Sequence, residues 1–166
     1  MRARIVGYLV IAAVVIAVGF AGRALSQASE SDHTPKLDQT QAMDQLGLAG
    51  VTWSATGGCN DWYGSSCTSL EQINQSTVVG LIGLRRASGC PVTITAGTEV
   101  GHTDDGGAHW AGAQVTLAKN TCLVQYFTRV YDGADPAGVD RPQWKTSAGV
   151  TYQDTGKHWE VHFPLR

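Results

Sequence analysis

The sequence predicts an α+β domain: two or three helices packed on a small, mainly antiparallel sheet. Three observations carry that reading. Apolar residues recur at helical spacing around Val78–Ile82, while Cys90–Thr95 and Lys157–Phe163 alternate apolar and polar residues as half-buried strands do. Glycine reaches 20 residues and charged residues only 16 %, which argues against a coiled coil or a helical repeat. An apolar content of 43 % excludes global disorder, and 166 residues allow one ordinary domain with a small appendage.

The elements follow in order. Met1-Arg-Ala-Arg4 is a basic start, and Ile5–Gly22 is almost unbroken apolar sequence. Residues 1–26 therefore read as a signal peptide or an N-terminal membrane anchor. Arg2 and Arg4 against Arg23 favour an N-terminus that stays inside, and small residues suited to cleavage stand at Ala24-Leu-Ser26 and Ser26-Gln-Ala28. Either fate exports the rest of the chain. Residues 27–47, with Ser29, Ser31, Pro35, Asp38, Gln39 and Gln41, read as a polar linker that has room for a short helix near Lys36–Leu46.

Residues 48–166 form the expected folded domain. Thr68 or Ser69 is placed to cap a short helix with Glu71 in its first turn. Ser76 or Thr77 opens a second helix, with Arg85 and Arg86 in its last turn and Gly89 as its stop. A strand with Val92 and Ile94 inward follows, then a long glycine-rich loop, Gly97–Gly112, carrying Glu99, His102, Asp104, Asp105 and His109. Ala113–Ala118 is a strand with Val115 and Leu117 inward, and Asn120 or Thr121 caps a helix to about Val130. Tyr131–Pro142 is a loop. Gly149–Gln153 and Lys157–Phe163 form an antiparallel hairpin through Asp154-Thr-Gly156.

Cys59, Cys67, Cys90 and Cys122 are an even set in an exported chain, which allows three pairings. Local closure favours Cys59–Cys67 and leaves Cys90–Cys122. No Cys-x-x-Cys pair or zinc-finger spacing occurs. The net charge of −2 excludes an electrostatic footprint for nucleic acid. Three of the 12 basic residues precede Gln27, so the exported part is more acidic still.

Chemistry concentrates in two places. Strand alternation puts Trp159, Val161 and Phe163 on one face of the last strand and His158, Glu160 and His162 on the other, where imidazole and carboxylate suit zinc. The loop Gly101–Trp110 gathers His and Asp among glycines. Trp53, Trp62, Tyr63, Trp110 and Trp144 lie in or beside loops and are candidates to line a binding surface.

The stretch Gly107-Ala-His-Trp-Ala-Gly-Ala-Gln-Val-Thr116 resembles the Ser-x-His-x-x-Gly-x-Ala-x-Asp motif of the zinc D-alanyl-D-alanine carboxypeptidase and dipeptidase family. His109 and Gly112 fall on that motif, and His158-Trp159 is similar to the family's late Glu-x-x-His segment. Ser88-Gly-Cys-Pro91 entering the first strand and the order of elements are similar too, over roughly residues 68–165. The resemblance implies His109 and His158 as metal ligands for zinc and a cell-wall peptide as substrate.

The departures matter. Thr116 stands where the family has its ligand Asp and Thr155 where it has its general-base Glu, and Thr95-Ala-Gly-Thr-Glu99 has no counterpart to the family's Arg. Such hydrolysis needs zinc to polarise the carbonyl and a carboxylate to take a proton from water. The resemblance with these departures implies an exported, peptidase-like domain that has lost turnover, and its metal with it where zinc no longer binds, and that binds peptidoglycan peptide or a protein partner. An active zinc peptidase would need Asp154 as the catalytic base and Glu160 or His162 as a third metal ligand. A third reading is an exported, disulfide-stapled structural domain. Contact with the membrane runs through the N-terminal segment if it is uncleaved.

Overall fold

The folded unit begins at Thr34, ahead of the expected boundary at Leu48. The computed structural model describes residues 34–102, 107–130 and 142–164. The N-terminal segment 1–26, Asp104, Asp105 and all but the last residue of the loop Tyr131–Pro142 lie outside the described residues. After strand β1 (Lys36–Leu37), Asp38 Oδ1 accepts the Gln41 amide at 2.8 Å and Gln41 Oε1 accepts the Asp38 amide at 3.2 Å. This capping box begins helix α1 (Gln39–Leu48). Ala42 and Leu46, four residues apart, are buried, so residues 34–47 are part of the domain rather than a linker. Two apolar side chains were enough to dock a helix that looks polar in sequence.

Strand β2 (Val51–Trp53) follows. The short helix expected after Thr68 does not form. Ser69 Oγ accepts the Glu71 amide at 3.1 Å, and Gln72 adopts a left-handed φ of 59°, which ends any helical turn before β3 (Ile73–Asn74). Glu71 instead accepts the Gln39 amide at 2.9 Å, tying this turn to the start of α1. Helix α2 (Gln75–Ser88) ends as its sequence predicts, with Gly89 in the left-handed conformation at φ 68°. Strand β4 (Val92–Ala96) and β5 (Gln114–Ala118) flank the long loop, and Asn120 Oδ1 caps α3 (Thr121–Val130) by accepting the Leu123 amide at 2.9 Å. Strands β6 (Gln143–Lys145), β7 (Thr151–Asp154) and β8 (His158–His162) complete the domain.

Among the described residues, the main sheet has six strands in the order β2-β4-β5-β8-β7-β6, and only β2–β4 is parallel. It is the small, mainly antiparallel sheet of the predicted α+β class. β1 and β3 pair separately as an antiparallel ribbon. One face of the main sheet is the core, where Val92, Ile94, Val115, Leu117, Trp159, Val161 and Tyr152 meet Val78, Leu81, Leu84, Leu123 and Phe127 of the helices. Phe127 packs edge-on to Trp159 at 4.6 Å, and Trp144 tilts against Trp159 at 5.4 Å. The opposite face is polar and carries the candidate site.

Cys59–Cys67 and Cys90–Cys122 are both bonded, the pairing read from the sequence. Two disulfides mark a domain that matures in an oxidising, extracytoplasmic space. Among the described residues, no helix is long and apolar enough to cross a membrane.

Among the described glycines, Gly97 has the least room, since an added Cβ would stand 1.9 Å from the Ser69 carbonyl oxygen. Gly83, inside α2, has nothing within 4 Å of such an atom. In urea unfolding, Gly97→Ala should cost at least about 2 kcal/mol through overpacking against backbone. Gly83→Ala should leave stability unchanged or raise it by about 0.5–1 kcal/mol. Equal behaviour of the two variants would refute this packing.

Candidate functional site

The register of β5 on β8 builds the floor of the site. Thr116 pairs with Glu160, Gln114 with His162 and Ala118 with His158, so these side chains share the polar face. Trp159 and Val161 alternate to the core face, as the sequence predicts.

A bulge in β4 sets the roof. Ile94 pairs with Leu117 but Ala96 with Thr116, so one residue is inserted and the strand bends as it leaves the sheet. The chain then presses Gly97 and Thr98 onto Ser69, whose carbonyl accepts the Thr98 amide at 2.7 Å. The disulfide-closed loop 59–67 is fastened to the same stretch. Trp62 Nε1 donates to the Thr98 carbonyl at 2.7 Å, and the Val100 amide donates to the Trp62 carbonyl at 3.0 Å. Residues 107–113 form successive tight turns, with Ala111 N bonded to Gly107 O and Gly112 N to His109 O, and they deliver His109 to the floor.

Two carboxylates organise what lies between. Glu99, only 2 % exposed, accepts the Ser69 amide at 2.7 Å, the Gly97 amide at 3.0 and 3.2 Å, and His102 Nε2 at 2.9 Å. Burial alone would raise its pKa, but the His102 and backbone hydrogen bonds together hold it below the usual range. Glu160 is the larger hub. Its Oε2 accepts from Gln114 Nε2 at 3.0 Å and faces His109 Nε2 at 3.3 Å. Its Oε1 meets His158 Nε2 at 2.8 Å, and the Thr116 hydroxyl reaches both oxygens at 3.1 and 3.2 Å. Burial pushes the Glu160 carboxyl up, but the hydrogen bond and positive potential of His109, the Gln114 amide and the potential of His158 outweigh it and leave the pKa at about 2.

His109 is 2 % exposed and also bonds through Nδ1 to the Gly97 carbonyl at 2.5 Å. A carbonyl only accepts, so Nδ1 carries a proton and Nε2 is the nitrogen turned to Glu160. The His102 and His109 rings stack at 4.1 Å, joining the two carboxylate–imidazole pairs into one cluster. Trp110, which follows His109 in the chain, stacks on Trp62 at 4.3 Å, with the exposed Tyr63 tilted beside them, in an aromatic ledge.

His109 and His158 thus meet at one carboxylate, although 49 positions of sequence separate them. His162 shares their face but is exposed at the far end of β8. Asp154 does not join them. It pairs in register with Trp159, which turns it to the opposite face, and its carboxylate is held by Lys119 at 2.7 and 2.8 Å. Thr155 closes the β7–β8 turn, its hydroxyl donating to the His158 carbonyl at 2.8 Å. Trp53 and Trp144 pack against the core, so only Trp62, Tyr63 and Trp110 of the five aromatic candidates stand at the site. Glu99, His102 and Gln114 had no assigned role in the sequence. Gly97 and Gly101 around Glu99 were the one local sign of a tightly packed chain there.

Among the described residues, no group of three or more His, Cys, Asp and Glu side chains is arranged to hold a metal ion. Comparison with protein-family models, with curated proteins and with solved structures finds no match.

The Glu160 carboxyl lies near 2 when folded against an ordinary 4.5. A depressed carboxylate adds stability that is complete above pH 4.5 and fades as pH falls toward 2. Thermal unfolding of the native domain and of Glu160→Gln should therefore differ most at neutral pH and converge across that window. A constant difference down to the acid end would contradict this reading of the hub.

Proposed function

We propose that this domain is an extracytoplasmic recognition module that binds a cell-wall peptide without hydrolysing it. The observation that carries the reading is the use made of two threonines. Thr116 and Thr155 occupy the positions where the resembled peptidases have a metal-binding Asp and a catalytic Glu, and each is spent on a structural hydrogen bond. Asp154, the nearest replacement base, is ion-paired to Lys119 on the other face. Proton transfer from an attacking water then has no carboxylate at the expected place.

A surface for recognition remains. Half-exposed Trp110 (46 %) and exposed Tyr63 (71 %) offer apolar contact, and they stand together with Trp62 in one aromatic ledge. Aromatic side chains carry much contact area for little conformational entropy, which suits a binding ledge. Export fits a wall ligand, and retention of the N-terminal segment would hold the module at the membrane.

Titration calorimetry with purified wall stem peptides tests the proposal, alongside chromatographic assay for cleavage. Saturable binding with uncleaved peptide is expected, and Trp110→Ala should weaken it by about tenfold or more. Cleavage by the unmodified domain would return the reading to an active peptidase. Absence of binding to any stem peptide would leave a protein partner or a structural role.

A further inference from the structure

We infer that the place zinc holds in the resembled peptidases is taken here by a self-sufficient hydrogen-bonded hub, in which Glu160 is the positioning residue for the loop that carries Trp110. The inference goes beyond the recognition proposal and uses none of its ligands.

The donor set that a zinc ion would need is His109, His158 and one carboxylate. Their arrangement does not fit one ion. Each imidazole addresses a different oxygen of Glu160, His109 on Oε2 and His158 on Oε1, so the carboxylate stands between the rings. Ligands of one tetrahedral centre would instead surround a common point about 2 Å from each donor atom. Glu160 is also well supplied by the protein. Gln114 and Thr116 donate hydrogen bonds to its carboxylate. His109 Nε2 faces one oxygen and His158 Nε2 stands 2.8 Å from the other. Residue 116, opposite Glu160 in register, brings a hydroxyl that donates to this carboxylate instead of a second carboxylate that would need a cation.

The hub does the mechanical work a metal would do. Glu160 and His158 stand on β8, Thr116 and Gln114 on β5, and His109 on the turns between Gly107 and Gly112. One carboxylate therefore clamps two strands and the loop. The clamp continues through His109 Nδ1 to the Gly97 carbonyl and through the stacked ring of His102 to Glu99. Trp110, next to His109, is held at the ledge by the same contacts.

The test uses the intact, disulfide-bonded protein. Zinc content is measured by mass spectrometry. Thermal unfolding is followed with chelator, with added zinc and with neither. Amide exchange over residues 107–113 is compared among the native protein, Glu160→Gln and Thr116→Val. The native protein should carry far less than one zinc per chain, and neither chelator nor zinc should move its Tm by more than about 1 °C. Glu160→Gln should lower Tm by roughly 5 °C and speed exchange in the loop about tenfold, with Thr116→Val shifting both in the same direction by less. Stoichiometric zinc, or a Tm raised by several degrees when zinc is added, would overturn the inference. So would unchanged loop exchange in both variants. If Glu160→Gln fails to fold, the metal measurements and Thr116→Val still decide the matter.

Discussion

A carboxylate on a half-buried sheet face keeps its charge only if protein donors replace the water it has lost. Glu160 meets that condition with side chains from two strands and a loop, and the polar half of the domain is arranged around it. The core could tolerate many repackings of its aliphatic residues. The hub tolerates few, because a donor displaced by an ångström leaves a charge unpaired. The directions of the Thr116, Gln114 and His158 side chains all follow from one strand register, and a slip by one residue would send every one of them into the core.

Around this centre the chain spends its covalent staples where packing is weakest. The Cys59–Cys67 loop has little buried apolar surface of its own, yet it holds Trp62 in place for both Thr98 and Trp110. Closing such a loop removes disorder mainly from the unfolded chain, so a small polar segment can be ordered without a core of its own. The Cys90–Cys122 bond joins the start of β4 to α3 on the opposite side of the same sheet. Each layer is therefore anchored once.

Most of the fold was legible from local pattern. Gly89, Asn120 and the alternation in Lys157–Phe163 fixed one helix end, one helix start and one strand face, because each depends on neighbours in sequence. What local pattern missed depends on distant contact. α1 looked like tether because its core residues Ala42 and Leu46 have meaning only against elements distant in sequence. The helix expected after Ser69 yielded to a turn fastened on Gln39 and Thr98, 32 residues before Glu71 and 27 after it. In the site, His158 and Glu160 were visible on a predicted strand face and His109 in a glycine-rich loop. Glu99 was not, since its role comes from backbone amides at 69 and 97 that only the fold brings to it.

The pairing of Thr116 with Glu160 shows why the departures at these positions belong together. Side chains directly opposite on neighbouring antiparallel strands have Cβ atoms about 4.5–5.5 Å apart, and like charges at that distance repel. An Asp at 116 facing a Glu at 160 would need a cation between them, whereas a hydroxyl facing a carboxylate needs none. The strand pair thus carries a single carboxylate, placed on β8 and satisfied by its neighbours. Thr155 follows the same logic at the turn. A Glu there would lose the hydroxyl that accepts the His158 amide and donates to the His158 carbonyl, loosening the turn that sets the β7–β8 register and so the position of Glu160. Each threonine supports the hub, one by donating to it and the other by holding the strand on which it stands.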